Sequence, residues 1–193
     1  MLRFSLLYNN FQNLLDGGLR KKFVNEFVVP SANDTILDLG CGTGNLYPYI
    51  KNKCSTYIGV DWNQRYINYA IKKYNCNDFI CQDVDNINIT SSFNKIVCSS
   101  LLHHLSDKAY TKMLFKSISL LKDHGEFISI DPLFHDNQTI LSYIFCKFDR
   151  GNYIRNNENY IKLFKQVFNN IDYSYLGKVS IVPTHFCVYK CSL

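Results

Sequence analysis

The stretch ILDLGCGTGNLYPYI, residues 36–50, decides how this chain is read. A short apolar run carries one carboxylate, Asp38, and three glycines follow at alternate positions, Gly40, Gly42 and Gly44. An apolar run of this length bounded by glycine reads as a buried strand. Glycines so placed let the backbone pass close to a ligand. The dinucleotide fingerprint G-x-G-x-x-G would put its third glycine where Asn45 stands. A phosphate-binding P-loop needs a lysine after its last glycine, and there is none. The turn alone leaves a dinucleotide, a phosphate and an adenosyl group open as ligands.

On both sides of the turn, apolar runs alternate with helical periodicity. Strands are expected at 35–39, 56–60, 78–82, 95–100 and 125–131. Helices are expected at 45–51, 64–74 and 107–122. The 64–74 helix places Tyr66, Ile67, Ala70 and Ile71 on one face, and the last places Met113, Leu114, Ile118 and Leu121 on another. Strands alternating with crossover helices make βαβ units and a parallel sheet covered on both faces. Ahead of them, Leu7, Phe11, Leu14 and Leu15 predict one helix, and residues 19–28 a second that stops before Pro30. After them, helices are expected at 137–147 and 158–168 around a polar loop at 148–156. The end of the chain, IDYSYLGK and SIVPTHFCVYKC, reads as an antiparallel pair. The expected organisation is one domain over 1–193: a helical cap or lid at 1–30, a ligand-binding core at 31–132, and substrate-side helices and terminal strands at 133–193.

Composition narrows the class. A chain of 193 residues with 47 % hydrophobic and 19 % charged residues can bury a core and is not a disordered tract. The formal net charge is +5, and the densest basic spot is only Arg20-Lys21-Lys22. That argues against nucleic acid, which calls for a longer basic stripe. The eight cysteines form no C-x-x-C pair, and several lie in apolar runs, where cysteine acts as a small hydrophobe. MLRFSLLYNN lacks the apolar core and cleavage site of a secretory signal. No run of 18 apolar residues could span a bilayer. The expectation is a cytoplasmic protein with reduced thiols, no membrane span and no metal.

Other strand ends then bear on the ligand. Asp61 closes the second strand roughly 20 residues after the turn, where a carboxylate can accept ribose hydroxyls. Trp62 follows it and could pack on an adenine face. Asp83 follows the third strand, with Asp85 as a rival for the same adenine contact. Asp38, Asp61 and Asp83 at successive strand ends would repel a pyrophosphate and suit a cationic ligand without phosphate.

In this order and spacing, ILDLGCGTGNL, GVDWN, CQDV, KIVCSSLLHHL and LLKDHGEFISIDP resemble the motifs of class I, Rossmann-like S-adenosylmethionine-dependent methyltransferases. The resemblance covers about residues 31–132, and the flanks resemble a small bacterial subset of that family. It implies an α/β three-layer αβα sandwich with a seven-stranded, mostly parallel sheet in the order 3-2-1-4-5-7-6, strand 7 antiparallel. It implies that Gly40, Gly42 and Gly44 approach the methionine part of S-adenosyl-L-methionine and that Asp38 belongs to the cofactor shell. Asp61 would hold the ribose, Asp83 and the Val84 amide the adenine, and Ser99 and Ser100 would border the sulfonium.

The acceptor is less legible. Methyl transfer from a sulfonium mainly needs an aligned nucleophile, and a neutral one also needs a base. His103 and His104 follow strand four and are the candidate bases, His103 first because it lies nearer the strand end. Tyr8 could cover the cofactor. Arg150 and Arg155 flank the polar loop and, pointing inward, would select an anionic acceptor. The base-amine run N/D-P-P-Y/F is replaced by Ser99-Ser100-Leu101-Leu102, and there is no Pro-Cys for cytosine C5 chemistry. The expected activity is methyl transfer to an O or N of a small-molecule or carrier-borne acceptor. The alternatives are an RNA or protein methyltransferase and a non-catalytic S-adenosylmethionine-binding module.

Overall fold

TILDL forms β1 (Thr35–Leu39) at the centre of the sheet, because every side chain after its first is buried. Leu37 and Leu39 enter one apolar cluster, and Ile36 enters the other. This alternation puts a core on each face of the sheet. The computed structural model describes residues 18–148, 151–177 and 184–193. The remaining strands are β2 (Thr56–Asp61), β3 (Phe79–Cys81), β4 (Phe93–Ser99), β5 (Leu121–Phe134), β6 (Arg155–Asn156), β7 (Asn170–Gly177) and β8 (Phe186–Ser192). The sheet order is β3-β2-β1-β4-β5-β8-β7. Strands β3 to β5 run parallel with β1, and β8 is antiparallel to both of its neighbours. That is the expected 3-2-1-4-5-7-6 order, with one addition. β6, inside the expected polar loop, pairs parallel with Leu133 and Phe134 at the far end of β5, so the sheet has eight strands. Two residues carry too little periodicity to be read as a strand.

One face is covered by α1 (Leu19–Phe23), α2 (Tyr47–Ile50) and α3 (Gln64–Tyr74), through Phe23, Ile50, Ile67 and Ala70. The other is covered by α4 (Asp107–Ile118) and α6 (Asn157–Phe164), through Tyr110, Met113, Leu114, Tyr160 and Phe164. α5 (Ile140–Lys147) follows β5. α3 and α4 start where capping predicts, with Asn63 accepting from the Arg65 amide and Ser106 from the Ala109 amide.

Several boundaries differ from expectation. α4 ends at Ile118, because Leu121 already pairs with Phe93. The register then shifts before Lys95 pairs with Glu126. The intervening Lys122-Asp123-His124-Gly125 bulges out of the strand, with His124 at φ 60°. After α1 the chain continues as a π-helical turn, Val24–Val28, closed by the Val29 amide on the Val24 carbonyl. The expected helix around residues 7–15 lies outside the described residues.

Candidate functional site

The site lies at the carboxyl ends of β1, β2, β3 and β4. All three turn glycines have positive φ: Gly40 at 69°, Gly42 at 56° and Gly44 at 74°. A Cβ on Gly40 would meet Leu101 at 2.9 Å, and one on Gly44 would meet the Phe79 and Tyr74 rings at 2.8–2.9 Å. These two glycines let the turn lie against its own core. Gly42 differs: its Cβ direction is open, with no atom within 4 Å. It presents bare backbone to the rim.

Asp61 fastens this turn to β2. Its Oδ2 accepts the Gly42 amide at 3.0 Å and its Oδ1 accepts the Asn63 amide at 2.8 Å. Burial raises its carboxyl above the ordinary 3.8, and the two amide bonds oppose that shift. Each oxygen has one acceptor direction left for a ligand donor. Trp62 is exposed beside it. Asp83 is exposed, and Val84 is buried at the head of a 3-10 turn, Val84–Asn86. Ser99 ends β4 half-buried, and Ser100 holds a left-handed φ of 54° with its amide on the Ile130 carbonyl. A non-glycine residue in that region stores strain and often marks a functional rim.

Asp38 faces inward. It is 1 % exposed; the Tyr57 hydroxyl donates to its Oδ2 at 2.6 Å, and among the described residues nothing donates to its Oδ1. Burial pushes its carboxyl up to about 7, the Tyr57 bond opposes this, and the Asp61 charge adds to it. The unfolded chain ionises Asp38 near 3.8, so between 3.8 and about 7 the folded state holds the extra proton. Stability is therefore full below about pH 4 and is lost as pH rises through 7. Asp38→Asn removes that loss. Its stability advantage over the wild type is expected to grow by about 2–3 kcal/mol from pH 5 to pH 8, at about 1.4 kcal/mol per pH unit below the folded pKa. Denaturant melts at both pH values measure it, and an advantage that does not change with pH would speak against a raised Asp38.

The histidines are placed differently from each other. His103 is buried, while His104 is exposed with its ring centroid 4.1 Å away. Asp131 Oδ1 receives the His103 amide at 3.1 Å and contacts its Nδ1 at 2.6 Å. With Asp131 Oδ1 accepting from Nδ1–H, Nε2 is the acceptor nitrogen of the ring. Gly151 packs directly on the His103 ring, and the Tyr153 amide donates to the His103 carbonyl at 2.9 Å. Asp131, Gly151 and Tyr153 were not expected from sequence. Asp131 alone had a signal, being a carboxylate at the end of an apolar strand run, FISID.

Arg155 turns inward but is fully engaged. Nε and Nη2 donate to Asp107 Oδ1, Nη1 to the Leu102 and Tyr153 carbonyls, and Nη2 also to the Leu105 carbonyl, at 2.6–3.3 Å. That uses all five guanidinium protons. Arg155 ties the loop after β4 to the strap before α6, and no proton remains for an anionic acceptor. Tyr8 and Arg150 lie outside the described residues. Among the described residues no three His, Cys, Asp or Glu side chains gather as a metal set, and no helix is long and apolar enough to cross a membrane.

A family model described as a methyltransferase domain matches residues 36–125, from β1 through the bulge of β5. Just under half of the chain, the segment from Ile36 to Gly125, is thus similar to a methyltransferase domain. It is 28 % identical over 123 residues to the methyltransferase-named protein 235L of Invertebrate iridescent virus 6, covering 56 % of this chain but only 46 % of that protein. A solved S-adenosylmethionine-dependent methyltransferase from Clostridium acetobutylicum superposes with a TM-score of 0.72 at 20 % identity, over 97 % of this chain and 99 % of that one. Magnesium protoporphyrin IX methyltransferase from Synechocystis, solved with bound SAH, gives 0.68 at 16 % identity, over 95 % of this chain and 84 % of that one. At these identities the two structures bear on the fold.

Proposed function

We propose that this chain binds S-adenosyl-L-methionine over the Gly40–Gly44 turn and methylates an oxygen or nitrogen of a small-molecule or carrier-borne acceptor. One observation carries the reading: Asp61 is clamped by the Gly42 and Asn63 amides directly beside the one turn glycine that is open to the rim. Such a carboxylate is pre-set for a vicinal diol, and bare backbone beside it fits a close-lying ligand. The residues present fit the methyl donor. Asp61 would hold the ribose, Asp83 and Val84 the adenine edge with Trp62 against its face, and Ser99 the rim near the sulfonium. Asp38 lies buried beneath the turn, where the Tyr57 hydroxyl donates to it, and would support the turn from the interior side. When bound, the donor supplies a methyl group already activated by positive sulfur.

The chain's own task is alignment and proton removal. The acceptor's lone pair forms the new O–C or N–C bond. With the donor bound, its sulfur would keep the electrons of the broken S–C bond, and the acceptor's proton would pass to an imidazole. His103 is the better-oriented base, since Asp131 fixes both its amide and its Nδ1. Nucleic acid is not favoured, and the expected setting is the cytoplasm.

The test uses methyl-labelled S-adenosylmethionine and a cell extract. Label should enter the small-molecule or carrier fraction, and His103→Ala should reduce it by roughly 100-fold, the lower range for loss of a general base. Label confined to RNA or to bulk protein would overturn the acceptor class, and no transfer at all would leave only a binding module.

A further inference from the structure

Beyond the end of β5 lies a second feature that cofactor binding does not use. A pocket of about 460 Å3 is walled by Phe134, His135, Ile140, Tyr143 and Asn156, with Asp136 at its edge. The Phe134 and Tyr143 rings meet at 5.6 Å across it. On α5 the apolar surface continues through Leu141, Ile144 and Phe148, with Ile140 and Phe148 more than 80 % exposed. α5 thus shows solvent a run of large apolar side chains that ordinarily marks a binding surface. Its inner side carries Ser142 and Cys146, both buried.

Three observations say what fits there. The first is continuity with the reacting rim. Phe134 is three residues beyond Asp131, about 10 Å along a strand, and Asn156 follows Arg155 in the strand paired to it. The second is charge. Among the described residues the acidic side chain lining the pocket is Asp136 and no Lys or Arg lines it, and neighbouring Arg155 has spent every proton on Asp107 and three carbonyls. A carboxylate there disfavours an anion. The third is shape. The volume lies within the about 300–1,000 Å3 of small-molecule sites, and apolar walls with a few polar groups are their ordinary lining. His135 is one such group: its Nδ1 accepts the Asn137 amide at 3.1 Å, so the neutral ring carries its proton on Nε2.

We infer that this pocket receives the methyl acceptor, and that the acceptor is an uncharged molecule with a flat apolar body of about two rings, its hydroxyl or amine directed along β5 toward His103 and Asp131. The inference rests on the methyl-transfer reading and adds the substrate class to it. It turns away from the anionic acceptor that an inward-pointing Arg155 with free protons would select.

The probes are 2-naphthol and its anionic counterpart 2-naphthoate, titrated by calorimetry against the full chain, with S-adenosylmethionine titrated separately. Saturable one-to-one binding of 2-naphthol is expected, with 2-naphthoate at least 10-fold weaker. Ile140→Ser and Tyr143→Ala, both at exposed positions where folding is not at stake, should each weaken 2-naphthol at least 5-fold and leave S-adenosylmethionine binding unchanged. Absence of saturable 2-naphthol binding, binding indifferent to both variants, or preference for 2-naphthoate would overturn the inference. So would a dimer in sedimentation that Ile140→Ser dissociates, or flotation with phosphatidylcholine vesicles that it abolishes; these assign the face to a second copy or to a lipid surface. Loss of S-adenosylmethionine binding with 2-naphthol binding kept sinks the methyl-donor reading and leaves the pocket standing.

Discussion

Replacing Asp61 by alanine is expected to weaken S-adenosylmethionine binding by at least 100-fold in a protein that remains folded. Each Asp61 oxygen already takes one backbone amide, at 3.0 Å from Gly42 and 2.8 Å from Asn63. A ribose diol needs the remaining acceptor direction on each. Hydrogen bonds to a charged group contribute about 1.5–3 kcal/mol apiece, so losing two removes roughly 3–6 kcal/mol, or about 10²–10⁴ in affinity. The same change frees the Gly42 amide and loosens the turn. The fold tolerates this, because burial already disfavours the ionised carboxylate and its removal relieves that cost. Asp61→Asn keeps one acceptor oxygen and should fall between. The measurement is calorimetric titration beside a thermal melt; a change in affinity below 3-fold with the melt unaltered would refute the clamp.

Replacing Arg155 by alanine is expected to destabilise the protein by about 3–4 kcal/mol, since each buried acceptor left without its donor costs about 1–3 kcal/mol. The guanidinium is 8 % exposed and lies over the Tyr110 ring at 5.2 Å and the Tyr160 ring at 5.7 Å. Its bond to Asp107 counts for little, since that carboxylate is 74 % exposed. The cost comes from the Leu102, Leu105 and Tyr153 carbonyls, which lose their shared donor, and from the space left among the rings. For a chain of 193 residues this is a drop of roughly 6–16 °C in Tm. Arg155→Lys should recover less than half, because a point charge cannot bridge three carbonyls and a carboxylate. A Tm within 2 °C of the wild type would show that the strap is held by other means.

The contrast between Asp61 and Arg155 shows where sequence is informative. TILDL, QRYINYAIKKY and the glycine turn are local signals, with periodicity, capping and turn chemistry within a dozen residues, and their elements form where expected. Asp61 could be placed because a strand of known length delivers its last residue to the rim. Arg155 could be placed near the site but not assigned, because its partners lie about 50 positions back, at Leu102, Leu105 and Asp107. Asp131 was missed for the same reason: its role exists only once β4 and β5 are neighbours and His103 folds over the end of β5. Asp38 looked like one of three equivalent rim carboxylates. Strand alternation turns it to the interior face with Tyr57, a consequence of register that the motif itself does not display. β6 escaped because two residues have no period.

The central claim is that the glycine turn serves an adenosyl sulfonium and not a dinucleotide, and titration of the full chain with S-adenosylmethionine and, separately, with NADH tests it most directly. Saturable one-to-one binding of S-adenosylmethionine with no detectable NADH binding is the expected result. Saturable NADH binding without S-adenosylmethionine binding would contradict it.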